Sequence, residues 1–311
     1  MNPNNKKITI KSTHKIFDFL NKHQVKKGEK FTHNSMGKPM GSFYIPSSEE
    51  DEFFKLYLDA INNNIQLHLL ERHNEYSPIL IDFDFKYDFS IMERQHNINH
   101  INKIIKLYIE EINNIFNISD KKEKLIAFVF ERENPYKYKG NTKDGIHIIF
   151  PFIVSEPNSQ YLLRENVLKK INKIIEDLPL KNINSDVVDR SVISKNGWLL
   201  FNSTKPNCKR YNLTHIFDCH GEKIEMDEVN YNGINNPVKF FSIRRNTIKD
   251  VIPIRNEKIA DIEKMGKKKK KYRTVKRVNY DFDTVKQLVN ILSEERANDF
   301  NKWIEVGICL N

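Results

Sequence analysis

The sequence predicts an α+β protein in which a mixed sheet is flanked by long helices, and three observations predict it. The apolar run Pro78-Ile79-Leu80-Ile81-Asp82-Phe83-Asp84-Phe85 puts Ile79, Ile81, Phe83 and Phe85 on one face with period 2, the pattern of a strand. Ile98, Ile101, Ile105, Tyr108, Ile112 and Ile115 recur at intervals of three and four, the stripe of a long helix with one core-facing side. Further strands and a second helical stripe follow in an order that is not a regular βα repeat. At 311 residues with 39% hydrophobic content, the chain can form one large domain or two modest ones.

The elements follow in order. Ser47-Ser48-Glu49-Glu50 has the form of a capping box, continued by Phe53, Phe54, Leu56, Tyr57 and Ile61 as an amphipathic helix. After the Asp-Phe-Asp strand and the isoleucine helix, Leu125 to Phe130 reads as a strand. Asn134 to Gly145, rich in Lys, Tyr and turn residues, reads as a loop before the strand Ile146 to Phe150. Leu162, Val167, Leu168, Ile171, Ile174, Ile175 and Leu178 mark another amphipathic helix, and Val187 to Ile193 and Trp198 to Phe201 read as two more strands. A second Asp-Phe-Asp, at residues 281–283, precedes Val285, Leu288, Val289 and Leu292, so Asp283 reads as a helix N-cap without chemistry.

Composition narrows the function classes. No apolar stretch reaches membrane-spanning length, and the N-terminus is not a signal peptide. Cys208, Cys219 and Cys309 are too few and too scattered for a disulfide framework, which predicts a reducing, intracellular setting. Nine cations lie between Lys264 and Arg277 with no acid among them, and without them the net charge of +10 falls to +1. Such a segment, with Lys267, Lys268, Lys269, Lys270 and Lys271 at its centre, reads as a solvated linker, an import signal or an arm that touches phosphates. Cys208, His215, Cys219 and His220 could offer metal ligands, but the spacing lacks a CxxC or HxxxH knuckle and zinc is not expected.

Chemistry concentrates on the first Asp-Phe-Asp. Asp82 and Asp84 share the face opposite the phenylalanines, roughly 7 Å apart along the strand. Two anions so placed repel each other and are costly to desolvate, and hard oxygen ligands favour Mg²⁺ or Mn²⁺ over zinc. His147 inside an apolar strand, Asp189 inside a Val/Ile-rich strand, and Ser203 with Lys205 on one strand face are each weak signals alone.

Their order carries more. A hydrophobic strand with Asp-x-Asp, then Gly145-x-His147, then Asp189-Arg190-Ser191-Val192, then Ser203-x-Lys205 resembles the signature of the archaeo-eukaryotic primases. The similarity is to the primase portion of D5-like viral primase-helicases, and it covers roughly Thr32 to Pro206. It implies an archaeo-eukaryotic primase fold, an RRM-like catalytic sheet packed with an N-terminal α/β unit. It further implies Asp82, Asp84 and Asp189 as metal-holding catalytic carboxylates, with Asp186 as a rival for the third, and His147, Ser203 and Lys205 as nucleotide-binding groups. Residues 1–262 would be the catalytic domain, 263–279 a basic linker, and 280–311 the start of a helicase-associated helical region, because Trp303 to Leu310 resembles that region. The expected partners are a single-stranded DNA template, NTPs or dNTPs and a helicase portion of the same polypeptide, with no membrane, in a host cytoplasm or nucleus. Other classes that could use this chain are a single-strand-binding module stacking bases on Phe83 and Tyr87, and a metal-dependent nuclease.

Overall fold

The computed structural model describes residues 14–226, 229 and 235–267, with scattered positions between 286 and 299. Residues 1–267 and 268–311 form two compact units, and every element below belongs to the first. It begins with α1 (Lys15–Lys22), β1 (Gln24–Val25), β2 (His33–Ser35), β3 (Gly41–Phe43), α2 (Glu50–Asn62) and β4 (Leu69–Glu71). It continues through β5 (Ser77–Tyr87), α3 (Ile98–Ile115), β6 (Ala127–Arg132), β7 (Tyr136–Tyr138), β8 (Asn141–Ser155) and α4 (Pro157–Leu168). The short helices α5 (Asn172–Ile175) and α6 (Asn184–Val187), then β9 (Trp198–Leu199), β10 (Tyr211–Phe217), β11 (Lys223–Ile224), α7 (Pro237–Phe240) and α8 (Ile259–Lys267) complete it.

Two sheets result. The first runs β1-β3-β2-β4-β9; the second runs β11-β10-β6-β8-β5, with β7 paired to β8. Every named strand pair is antiparallel, where the sequence suggested a mixed sheet. The reason is in the connections: α3 carries the chain from β5 past one sheet position to β6, and β8 fills the gap by turning back, so neighbours in the sheet oppose one another.

Alternation in β5 builds the main core. Ile79, Ile81, Phe83, Phe85 and Tyr87 pack with Ile101, Ile105, Ile112 and Ile115 of α3 and with Leu163 and Val167 of α4. Each such side chain contributes about 1.5–3 kcal/mol by leaving water. Helix α3 starts where Asn97 accepts the amides of Asn99 and His100 and the His100 ring receives the Asn97 amide, a reciprocal cap. On the other face of the second sheet, Leu80, Phe128, Phe130 and Ile149 pack with Trp198, Phe240, Phe241 and Ile243. Trp198 belongs to β9, so this layer joins the two sheets.

Several elements differ from the pattern in the sequence. Residues 134–145 are a hairpin rather than a loop, Tyr136–Tyr138 pairing with Asn141–Lys143. The helix expected over 162–178 is broken into α4 and α5 by a turn at Lys169–Ile171. Val187 to Ile193 is not a strand: α6 leads to one antiparallel bridge, Phe83 to Val188, and a 3-10 turn over Ser191–Ile193. Asp189 causes the turn, because its Oδ1 accepts both the amide and the hydroxyl of Ser191 and bends the backbone away from β5. The strand at Trp198 stops at Leu199, and Asn202 at φ 64° turns the chain out of the sheet. Lys268 to Lys271, Asp283 and Trp303 to Leu310 lie outside the described residues.

Candidate active site

Register places the acids. Across the β5–β8 pair, Asp82 faces His147 and Asp84 faces Gly145. Phe83 and Tyr87 point the other way and are fully buried, so they offer no surface for stacking bases. The Asp189 amide donates to the Asp82 carbonyl at 2.9 Å, next to the Val188 bridge, and this brings a third carboxylate beside the first. Asp82, Asp189, His147 and Lys205 line one cleft of about 650 Å³. Asp84 lines a neighbouring open groove that shares Asp189 and Lys195 with it. Asp186 is exposed on α6 in that groove and does not reach the cleft.

Burial and the repulsion of Asp84 and Asp189 push the Asp82 carboxyl up to about 7, against the pull of Lys205 and Arg132. His147 is moved the opposite way, well below its ordinary value, by burial and by Arg132 and Lys205. Its Nε2, 3.6 Å from Asp82 Oδ1, therefore belongs to a neutral ring at pH 7. Lys143 clamps Asp84 with Nζ 2.8 and 3.1 Å from the two carboxylate oxygens. Although burial works against the charge on Lys143, Asp84 raises its affinity for a proton. An all-oxygen donor set with one carboxyl driven towards its protonated form by burial and by its neighbouring carboxylates fits a hard divalent cation.

Ser203 is not at the cleft. Its hydroxyl donates to the Leu67 carbonyl at 3.1 Å and it is 3% exposed, so it fastens the turn after β9 to the segment leading into β4. Lys205, two residues on, leaves that turn exposed at the cleft mouth, so the two do not share a strand face.

Several residues at the site have no signal in the sequence pattern. The Tyr211 ring stacks on His147 with centroids 3.7 Å apart, and the Arg132 guanidinium lies 4.3 Å over Tyr211. Trp198, which the sequence does place at the start of a strand, lies 4.7 Å from the imidazole with its ring tilted by 36°. A register shift between Leu213 and His215 blurs the alternation of β10, which hides the facing of Tyr211. Gly145 is small for a definite reason: a Cβ there would lie 2.6 Å from the Phe83 carbonyl oxygen and 3.2 Å from the Tyr211 hydroxyl. Arg72 and Lys195 add positive charge to the cleft wall from the segment just after β4 and from the turn before β9.

The four suggested zinc ligands do not gather. Cys208 precedes β10 and Cys219 follows it, with a strand of roughly 20 Å between them. His215 faces Glu131 at 3.5 Å instead. Cys219 and His220 share the β10–β11 turn with Asp218, their ligand atoms within 4.8 Å of one another.

Residues 32–217, which contain the whole of this geometry, match the family described as "C962R protein N-terminal AEP domain". The chain belongs to that family, within the archaeo-eukaryotic primases. The chain is also 30% identical over 336 residues to "Putative helicase L207/L206" of Acanthamoeba polyphaga mimivirus, covering 96% of this chain and 35% of that protein. It is 21% identical to "Putative helicase 121R" of Invertebrate iridescent virus 3, over 90% of this chain and 33% of the relative. "Putative helicase 184R" of Invertebrate iridescent virus 6 is 23% identical, again over 90% and 33%. The chain thus spans about a third of the length of the curated relatives it matches. Among the described residues, no helix is long and apolar enough to cross a membrane.

Proposed function

We propose that this chain is the catalytic portion of a primase or primase-polymerase that extends a 3′-hydroxyl on a single-stranded DNA template, consuming NTPs or dNTPs. The observation that carries the reading is the convergence of Asp82 and Asp189 with neutral His147 and Lys205 on one cleft, with Asp84 on the groove beside it. The 3′-oxygen attacks the α-phosphorus, its proton leaves to solvent, and the bond to the β-phosphate oxygen breaks to release pyrophosphate. Mg²⁺ or Mn²⁺ held by Asp82, Asp84 and Asp189 would supply Lewis acidity to the attacking and leaving oxygens.

The chain's own groups do the rest. Lys205, Arg72 and Lys195 set positive charge along the wall where a triphosphate would lie. His147, in contact with both Tyr211 and Trp198, can donate one hydrogen bond to a phosphate oxygen without bringing a second positive charge. Strand order supports the RRM-like reading: β5, α3, β6, β8, α4 and the Val188 bridge follow one another in the chain. In space they lie in the order bridge, β5, β8, β6, so the sheet edge that a fourth strand would fill is reduced to one bridge beside Asp82. The names of the relatives support a helicase portion beyond this chain in the same polypeptide, with NTP-driven unwinding next to primer synthesis.

Unprimed single-stranded DNA incubated with Mg²⁺ or Mn²⁺ and either nucleotide set tests the reading. Template-dependent products with pyrophosphate release are expected. Cleavage of the strand without incorporation would replace the reading with a nuclease.

A further inference from the structure

Outside the cleft, the most unusual surface is the β7–β8 hairpin. From Asn134 to Lys143 it carries Tyr136, Tyr138 and three lysines, with no acid. Lys139 and Gly140 at its tip have φ of 46° and 74°, the two successive positive values of a tight two-residue hairpin turn, so the tip is held rather than loose. Tyr138 stays 47% exposed, with the Lys139 and Lys143 ammonium groups 5.4 and 5.6 Å from its ring centre.

Its rings do not stand alone. Tyr136 lies 6.5 Å from Tyr138, and Arg132 spans the gap between Tyr136, 5.0 Å away, and Tyr211, 4.3 Å away. Tyr211 stacks on His147, which faces Asp82. A continuous row of flat groups therefore runs from the hairpin tip to the carboxylates, and Lys143 ties the two ends together by its bond to Asp84.

We infer that the β7–β8 hairpin is a binding platform for single-stranded nucleic acid, feeding the strand toward the cleft. Aromatic faces flanked by cations take unpaired bases and their phosphates together, whereas paired bases are already stacked on one another. The absence of acids from Asn134 to Lys143 sets the outer part of this hairpin apart from the carboxylate-rich groove beside it and matches it to a polyanion. The direction of feeding rests on the proposed primase activity, but binding by the hairpin does not.

Equilibrium binding of a labelled oligothymidylate, measured in EDTA without nucleotide, tests this. Tyr138→Ala should weaken binding on the order of tenfold, while Tyr138→Phe keeps wild-type affinity. Lys137→Ala combined with Lys139→Ala should lower the salt slope by about 0.7 for each phosphate that the two lysines neutralise. Duplex DNA of the same length should be affected far less by Tyr138→Ala. Wild-type affinity in Tyr138→Ala, or equal losses for duplex and single strand, would overturn the inference and give the hairpin to another partner. Because no metal or nucleotide enters the binding reaction, these outcomes are independent of whether Asp82, Asp84 and Asp189 support synthesis.

Discussion

Asp82 is where the electrostatics of the site are most exposed to measurement. With its carboxyl pushed up to about 7 when folded, it binds a proton more tightly in the native state than in the unfolded chain, where the value is about 4. Between those two values the folded state holds more protons, so the metal-free protein should lose stability as pH rises from about 4 to about 7 and level off above. Asp82→Asn keeps the shape and drops the charge. In EDTA at pH 8 it should melt higher than wild type, by roughly 2–4 kcal/mol of stability, with a flatter pH profile across that window. An equally steep decline in the variant would assign the effect to another group. Asp84 differs because Lys143 already neutralises it, so Asp84→Asn should bring no such gain. In the same cleft, His147→Ala and Lys205→Ala should weaken nucleotide binding about tenfold or more, since hydrogen bonds to charged groups contribute about 1.5–3 kcal/mol. Single-strand affinity should move much less, and titrations of both ligands on the same variants check it.

At the level of elements, the pairing of β5 with β8 makes the site, and Gly145 is the residue that permits it. Gly145→Ala forces a Cβ against the Phe83 carbonyl oxygen at 2.6 Å, and backbone there cannot swing aside as a side chain could. We expect a loss of about 1–3 kcal/mol in denaturant unfolding, together with reduced synthesis as Asp82 and Asp84 shift in register. A variant as stable and as active as wild type would show the two strands to be free to separate. Gly145 also shows how far the sequence can be read. Period 2 in β5 and the three-four spacing of α3 are local, and both are legible. The single bridge at Val188 is not, because an Asp-x-Ser turn looks like a strand until its side-chain hydrogen bonds are seen. Ser203 and Lys205 look like one strand face only if the Asn-Ser-Thr-Lys-Pro run after Phe201 is taken as extended; its turn residues are the local signal, and Asn202 does turn the chain there. Tyr211 and Arg132 reach His147 only through long-range pairing of β10, β6 and β8, which no spacing encodes.

For the whole molecule, the charge is divided between a nearly neutral body and the basic segment from Lys264 to Arg277. Deleting Lys267 to Lys271 should lower the salt slope of single-strand binding by less than five neutralised phosphates would give, at about 0.7 for each phosphate, with nucleotide affinity unchanged. An unchanged slope at low salt would leave that segment as a linker alone. The catalytic proposal stands apart from it, because all three carboxylates lie in the compact unit that ends at Lys267. The most direct test is nucleotide incorporation on unprimed single-stranded DNA by the wild type beside Asp82→Asn, Asp189→Asn and Asp186→Asn. Wild type and Asp186→Asn should synthesise, and the other two should fall by several orders of magnitude while still folded and still binding the template. Full activity in Asp82→Asn or Asp189→Asn with Mg²⁺ or Mn²⁺ present would contradict the account.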